Sequence, residues 1–291
     1  MYSLRPQQTI AATASVNGFG YWSGRDVRVE FRPAAPDTGI VFVRDDLNPP
    51  ARIAASVGNR VEVPRRTTLR SAGASVEMVE HVLAALVGLA IDNCEVGVTA
   101  PEMPGCDGSS LPFVEALDAV GTRSYEAPRR RLMVRELVRL GDDDHWIEAR
   151  PARHGGLSLS YRLDYGRGSA IGRQSIDLCL TADSFRRELA PSRTFLLKEE
   201  AEMLRAQGLG RRATTSDVMV IDHLGPIDNT FRYDNECARH KALDLVGDLA
   251  LACCDLVGHF VAHRSGHRLN AELVRVLLTE GEMISGRRRS A

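Results

Sequence analysis

The sequence predicts an α+β protein of two similar halves, each a sheet packed on helices, and three observations carry that expectation. Short strand-like runs alternate with a few helical stretches along the whole chain. Two of those helices echo one another: His81 is followed by Leu86-Val87-Gly88, and His240 by Leu245-Val246-Gly247 at the same offsets. A strand-like run follows each, as duplication of one unit would produce. Finally, a polar, charged stretch at 122–131 containing Pro128 reads as a linker, which divides the chain into domains 1–124 and 125–291.

Taken in order, residues 25–64 read as short strands, 28–32 and 40–43 among them, broken by Pro33, Pro36 and Gly39. A helix is expected over 75–89, with Ser75 as N-cap, Glu77 at the positive end of the dipole, and Val76, Val79, Leu83 and Leu86 at helical spacing. A strand at 94–98 and a Pro/Gly-rich loop at 101–110 follow. Strands resume at 132–134, 146–148 and 157–161. A short charged helix at 198–207 stops at Gly208, a long one runs over about 235–253, and a strand at 257–262 and a helix at about 270–279 close the chain.

Bulk properties exclude several classes. A formal charge of -1 gives no net basic charge to displace counterions from nucleic acid, so no nucleic-acid partner is expected. The one dense basic run, Arg287-Arg288-Arg289, reads as a solvated tail. Six cysteines without C-x-x-C spacing, two of them adjacent (Cys253 and Cys254), fit reduced thiols in a cytoplasmic protein. No signal peptide is visible, and no apolar run approaches the ~20 residues a bilayer span needs. Any lipid substrate would be reached from the water side.

Chemistry concentrates on the two echoing helices. Glu80 and His81 interrupt an otherwise apolar helix, which is either a buried functional pair or a helix edge facing water. His240 and Asp244 stack on one helix face with Asp248 a turn further on. One imidazole and one carboxylate at that spacing suit a single zinc ion, and equally a surface ion pair. His259, His263 and His267 recur at four-residue intervals, but the Gly258 and Gly266 context suggests strand then loop, where that spacing does not converge. His267 is the one expected to project into a site; His259 and His263 read as structural or solvated.

Six ordered stretches then carry a resemblance. Val79-Glu80-His81-Val82-Leu83-Ala84-Ala85-Leu86, Ile91-Asp92-Asn93, Pro101-Glu102-Met103-Pro104 with Asp107-Gly108-Ser109, Ser192-Arg193-Thr194-Phe195, Arg239-His240-Lys241-Ala242-Leu243-Asp244 with Gly247-Asp248, and Ser265-Gly266-His267-Arg268-Leu269-Asn270 resemble the signatures of UDP-3-O-acyl-N-acetylglucosamine deacetylases. Asp46-Leu47-Asn48-Pro49-Pro50 extends the likeness to the N-terminal part, so it covers essentially the whole chain.

The resemblance implies zinc-dependent hydrolysis of the N-acetyl amide of a UDP-linked acylated glucosamine, the committed step of lipid A synthesis. It implies two related βαβ-type layers forming a sandwich, with the site in the crevice between domains and a substrate passage near 194–222. His81, His240 and Asp244 would hold zinc, leaving a fourth position open as in catalytic sites; such a metal lowers the pKa of water toward ~7. Glu80 would be the general base, Thr194 would stabilise the oxyanion, and His267, kept cationic and oriented by Asp248, would be the general acid. Lys241 would lie near the nucleotide phosphates and Phe195 against the sugar. A cytoplasmic monomer without an integral membrane segment is expected, with peripheral membrane contact through the acyl substrate.

Several stretches depart from the family pattern. Gly20-Tyr21-Trp22-Ser23-Gly24 stands where the family has Gly-Leu-His-Ser/Thr-Gly, so Trp22 replaces a histidine. Leu196-Leu197 replaces Gly-Phe, Arg212-Ala213-Thr214-Thr215-Ser216-Asp217 replaces Gly-Gly-Ser-Leu-x-Asn, and Arg167-Gly168 replaces His-Pro. Arg211 and Arg212 would put charge in an apolar tunnel at high cost, unless the tunnel is absent or opens to water. The alternatives are therefore a paralogous deacetylase of another N-acetylated sugar, or a non-catalytic sugar-nucleotide binder.

Overall fold

A computed structural model describes residues 4–152 and 155–285, so the run Arg287, Arg288 and Arg289 lies outside the described residues. The first half contains β1 (Pro6–Ile10), β2 (Ala14–Phe19), β3 (Asp26–Pro33), β4 (Ile40–Arg44), β5 (Ala51–Ala54), β6 (Arg60–Val61), β7 (Thr68–Ser71), β8 (Ala74–Glu77), α1 (Glu80–Gly88), β9 (Cys94–Val98), α2 (Leu111–Val120) and β10 (Thr122–Pro128). The second contains β11 (Arg131–Met133), β12 (Val138–Gly141), β13 (Trp146–Arg150), β14 (Leu157–Asp164), β15 (Arg173–Cys179), the single turn α3 (Ala182–Ser184), β16 (Phe195–Leu197), α4 (Lys198–Ala206), β17 (Met219–Ile221), α5 (Glu236–Leu249), β18 (Asp255–His263), α6 (His267–Glu280) and β19 (Glu282–Ile284).

The echo in sequence is an echo in topology. In the five-stranded sheet β2-β3-β9-β4-β5, the strand after α1 lies antiparallel to β3 and parallel to β4. In the seven-stranded sheet, the strand after α5 lies antiparallel to β13 and parallel to β14. Helices occupy the middle: α2 packs on β2, α1 on α5, α5 on β14 and β15, and α6 on β12 and β13. The α+β class, with sheets layered on helices, is the one expected. One continuous core links Phe31, Phe42 and Leu83 of the first half to Leu245, Phe260 and Leu273 of the second.

Three local expectations are corrected. Ser75 is no N-cap: residues 74–77 form β8, paired in a hairpin with β7, and helix α1 starts only after Met78, whose φ of 57° turns the chain out of the strand. Val76 and Val79, spaced as residues of one helix, are buried from strand β8 and from the N-cap of α1 instead. The stretch 122–128 is not an unstructured linker but β10, antiparallel to β1 with Ile10 opposite Thr122. Its polar alternation is that of a two-stranded ribbon with one solvated face. The last helix begins at His267, three residues earlier than expected.

Candidate metal centre and active site

Helix α1 is largely apolar because nearly every face of it is buried, and its two polar residues are buried too: Glu80 is 4% exposed and His81 6%. The solvated-edge alternative for this pair is thereby removed. Helix α5 carries the opposing residues, and His240 and Asp244 are as deeply buried. Packing of α1 against α5 brings His81 Nε2 to 3.5 Å and His240 Nε2 to 3.4 Å from Asp244 Oδ1. The two rings stand edge to face, 5.1 Å apart. His81, His240 and Asp244 each point one ligand atom into a space where all three atoms lie within 4.8 Å.

The donor set fits a divalent transition metal. His240 Nδ1–H donates to the Ser192 carbonyl at 3.1 Å, which fixes the tautomer and leaves the Nε2 lone pair facing Asp244. Burial pushes the His240 pKa down to about 4 against the pull of Asp244, so the ring is neutral at pH 7, the state that binds a metal. Asp244 turns its other oxygen, Oδ2, to Lys241 Nζ at 2.6 Å. Burial opposes ionisation of Asp244, yet His240 and Lys241 hold its pKa well below the usual carboxylate range.

Around this cluster stand groups suited to proton transfer. Glu80 Oε2 accepts the backbone N–H of Thr67 at 2.9 Å. Burial raises the Glu80 pKa, partly offset by His267 and His81. His267, at the start of α6, gives Nδ1–H to Asp248 Oδ2 at 2.8 Å. Burial alone would lower the pKa of this histidine; Asp248 overrides that and lifts it to about 9. Asp248, fully buried, also accepts Asn270 Nδ2 on Oδ2 and the Thr67 hydroxyl on Oδ1. Tyr161 holds the loop before His267 by donating its hydroxyl to the Ser265 carbonyl at 2.5 Å.

A cavity of about 1090 Å³ opens onto Glu80, His81, Thr194, Phe195, His240, Lys241, Asp244 and His267 together. All the predicted site residues except Asp248, which stands behind His267, therefore share one space. Leu196, Ala201, Leu204, Ala213, Val218 and Val220, from β16, α4, β17 and the loop joining them, supply an apolar wall. Arg211 and Arg212 are not among its lining residues. Arg212 lies over the Phe19 ring and pairs with Asp26 at 2.7 Å, and both arginines are exposed, so their charge faces water. Trp22 lines the cavity where the family histidine was expected, with the Arg66 guanidinium over its ring at 4.9 Å. His259 bonds Ser158 at 2.9 Å and His263 stacks near Trp146, away from the site as expected.

Sequence reasoning missed Thr67, Tyr161 and Glu236. Glu236 is buried in the first turn of α5, where it grips the Arg193 guanidinium and the Arg193 backbone N–H. That fixes the Ser192–Thr194 segment over His240. Its signal was the four-residue stripe Glu236, His240, Asp244, Asp248 on one helix.

Fold and site together define a hydrolase with a buried His-His-Asp cluster suited to holding a metal ion. The profile of the UDP-3-O-acyl N-acetylglycosamine deacetylase family matches residues 7–279. The chain is 42% identical to the UDP-3-O-acyl-N-acetylglucosamine deacetylase of Phenylobacterium zucineum, over 93% of this chain and 92% of that protein. It is 37% identical to the enzyme of that name from Myxococcus xanthus, over 97% and 90% respectively. The chain belongs to the UDP-3-O-acyl N-acetylglycosamine deacetylase family.

Proposed function

We propose that this protein removes the N-acetyl group of UDP-3-O-acyl-N-acetylglucosamine, releasing acetate, in lipid A synthesis. The observation that carries the reading is the buried His81, His240 and Asp244 cluster, with Glu80 and His267 facing the same cavity. A zinc ion held by those three side chains would polarise the amide carbonyl and make water acidic enough to be deprotonated near neutral pH.

This chain's own residues do the rest. Glu80 Oε1, which is not the oxygen tied to Thr67, takes a proton from the attacking water. The Thr194 hydroxyl donates to the oxygen that gains charge as the amide carbon becomes tetrahedral. An amine leaves poorly unless protonated, and His267, charged at neutral pH, hands it a proton from the ring nitrogen not bound to Asp248. Lys241 and the cavity-lining Arg264 and Arg268 give the cationic surface a diphosphate requires, and Phe195, edge-on to His240, offers a face for the sugar. The apolar wall suits an acyl chain.

In the same reading the chain forms two domains, 1–124 and 125–291, the boundary falling within β10, with the substrate passage inserted at about 194–222. It acts as a cytoplasmic monomer that meets its lipid-bearing substrate from the water side. Among the described residues no helix is long and apolar enough to cross a membrane.

The test is deacetylation of UDP-3-O-acyl-N-acetylglucosamine beside the non-acylated UDP sugar. We expect the acylated compound to be preferred, and Glu80→Ala to lower kcat by about 10²–10⁴-fold with metal content unchanged. Preference for the non-acylated sugar would indicate a paralogue of different specificity. Turnover unaffected by Glu80→Ala would remove Glu80 as base.

A further inference from the structure

We infer that Thr67 is a positioning residue that sets the general base and the general acid relative to each other. The inference rests on the deacetylase reading for the roles of Glu80 and His267, and on geometry for the rest. Thr67 is completely buried just before β7, and both of its donors are spent on the site. Its backbone N–H goes to Glu80 Oε2 at 2.9 Å, and its hydroxyl goes to Asp248 Oδ1 at 2.5 Å, across 181 residues of sequence.

Asp248 explains why the hydroxyl matters. Its Oδ2 is shared by His267 Nδ1 and Asn270 Nδ2, both at 2.8 Å. Its Oδ1 has the Thr67 hydroxyl as its side-chain donor, and the residue is fully buried, so water does not replace a lost partner readily. Without that hydroxyl the carboxylate gains by rotating to share its remaining donors, and the rotation takes Oδ2 off the His267 ring. The Glu80 end is held by a backbone group, which no side-chain change at this position removes. One residue thus fixes the base through its main chain and the acid through its side chain, within a single peptide unit. Neither Thr67 nor Asp248 lines the cavity, so Thr67 acts through its neighbours and not on substrate.

The test compares Thr67→Val, which keeps the shape and loses the hydroxyl, with Thr67→Ser, which keeps the hydroxyl. We expect Thr67→Val to lower kcat about 10–100-fold with KM within about threefold, and Thr67→Ser to recover most of the loss. Added to Asp248→Asn, Thr67→Val should cost less than about threefold more, because its effect runs through Asp248. This double variant also removes the buried charge with its donor, so it serves if Thr67→Val alone does not fold. Independently of turnover, labelled-histidine NMR of the metal-free protein should show a His267 Nδ1–H signal that is sharp in wild type and Thr67→Ser but broadened by exchange in Thr67→Val. Wild-type kcat in a folded Thr67→Val, loss not restored by serine, full additivity with Asp248→Asn, or an unchanged Nδ1–H signal would each overturn the inference. An inactive wild type would instead count against the deacetylase reading, while the NMR comparison still decides the role of Thr67.

Discussion

Asp248 receives three side-chain donors on two oxygens, and its main effect is on the charge of a neighbour. The His267 pKa stands at about 9 in the folded protein against an ordinary 6.5. A folded pKa raised above the unfolded one contributes stability that is full below about 6.5 and disappears as pH rises through about 9. The metal-free wild type should therefore lose stability across that window. Asp248→Asn removes the attraction and leaves the burial penalty, so its slope should flatten or reverse. Urea unfolding in chelator at pH 6 and pH 9.5 checks this; parallel slopes for the two proteins would show that Asp248 does not control the charge of His267.

At the scale of the element, α5 is a helix with one functional stripe: Glu236 grips Arg193, His240 and Asp244 point at the candidate metal position, and Asp248 serves His267. The stripe reaches α1 because Gly247 has no side chain. A Cβ there would run into the Glu80 carbonyl oxygen, so glycine is what lets the two helix backbones meet. Gly247→Ala should destabilise the fold by about 1–3 kcal/mol, as overpacking does, and weaken metal binding with it. Thermal melting with metal analysis checks both; a variant with wild-type melting would mean the helices can separate freely. Much of this was legible: residues on one helix are placed by a 3.6-residue period, so His240, Asp244 and Asp248 could be grouped from spacing. What spacing does not reveal is contact between elements. Thr67 and Tyr161 stand outside any local pattern, and only tertiary pairing brings them to Asp248 and Ser265. Ser75 misled because alternation over four residues is too short to separate strand from helix, and α2 went unread because Pro112 looks like a loop residue although a helix's first turn tolerates it.

For the whole molecule, two of the places where the halves meet differ in character. Near the N-terminus Arg5 and Arg129 clamp Asp92 of the first half and Asp255 of the second, with Arg5 at 2.7 Å from each carboxylate. At the centre α1 lies on α5, with Glu80 and His81 from one half opposite His240 and Asp244 from the other. The chain's global echo was readable because both copies kept the same helix-then-strand order. The arginine clamp was not, since its members are scattered along the sequence.

At that central seam, a metal ion held by His81, His240 and Asp244 would be a rivet as well as a reagent. Those three side chains come from both halves, so the free energy of binding would be shared with the free energy of keeping them together. Chelation should lower Tm by several degrees and speed amide exchange in α1 and α5 before the outer strands respond, measurable by calorimetry and hydrogen exchange. Exchange that accelerates uniformly, or a Tm indifferent to chelation, would show that the halves cohere without it. If the rivet does carry load, any change that loosens the seam also loosens the metal, and inactivation and unfolding become stages of one event.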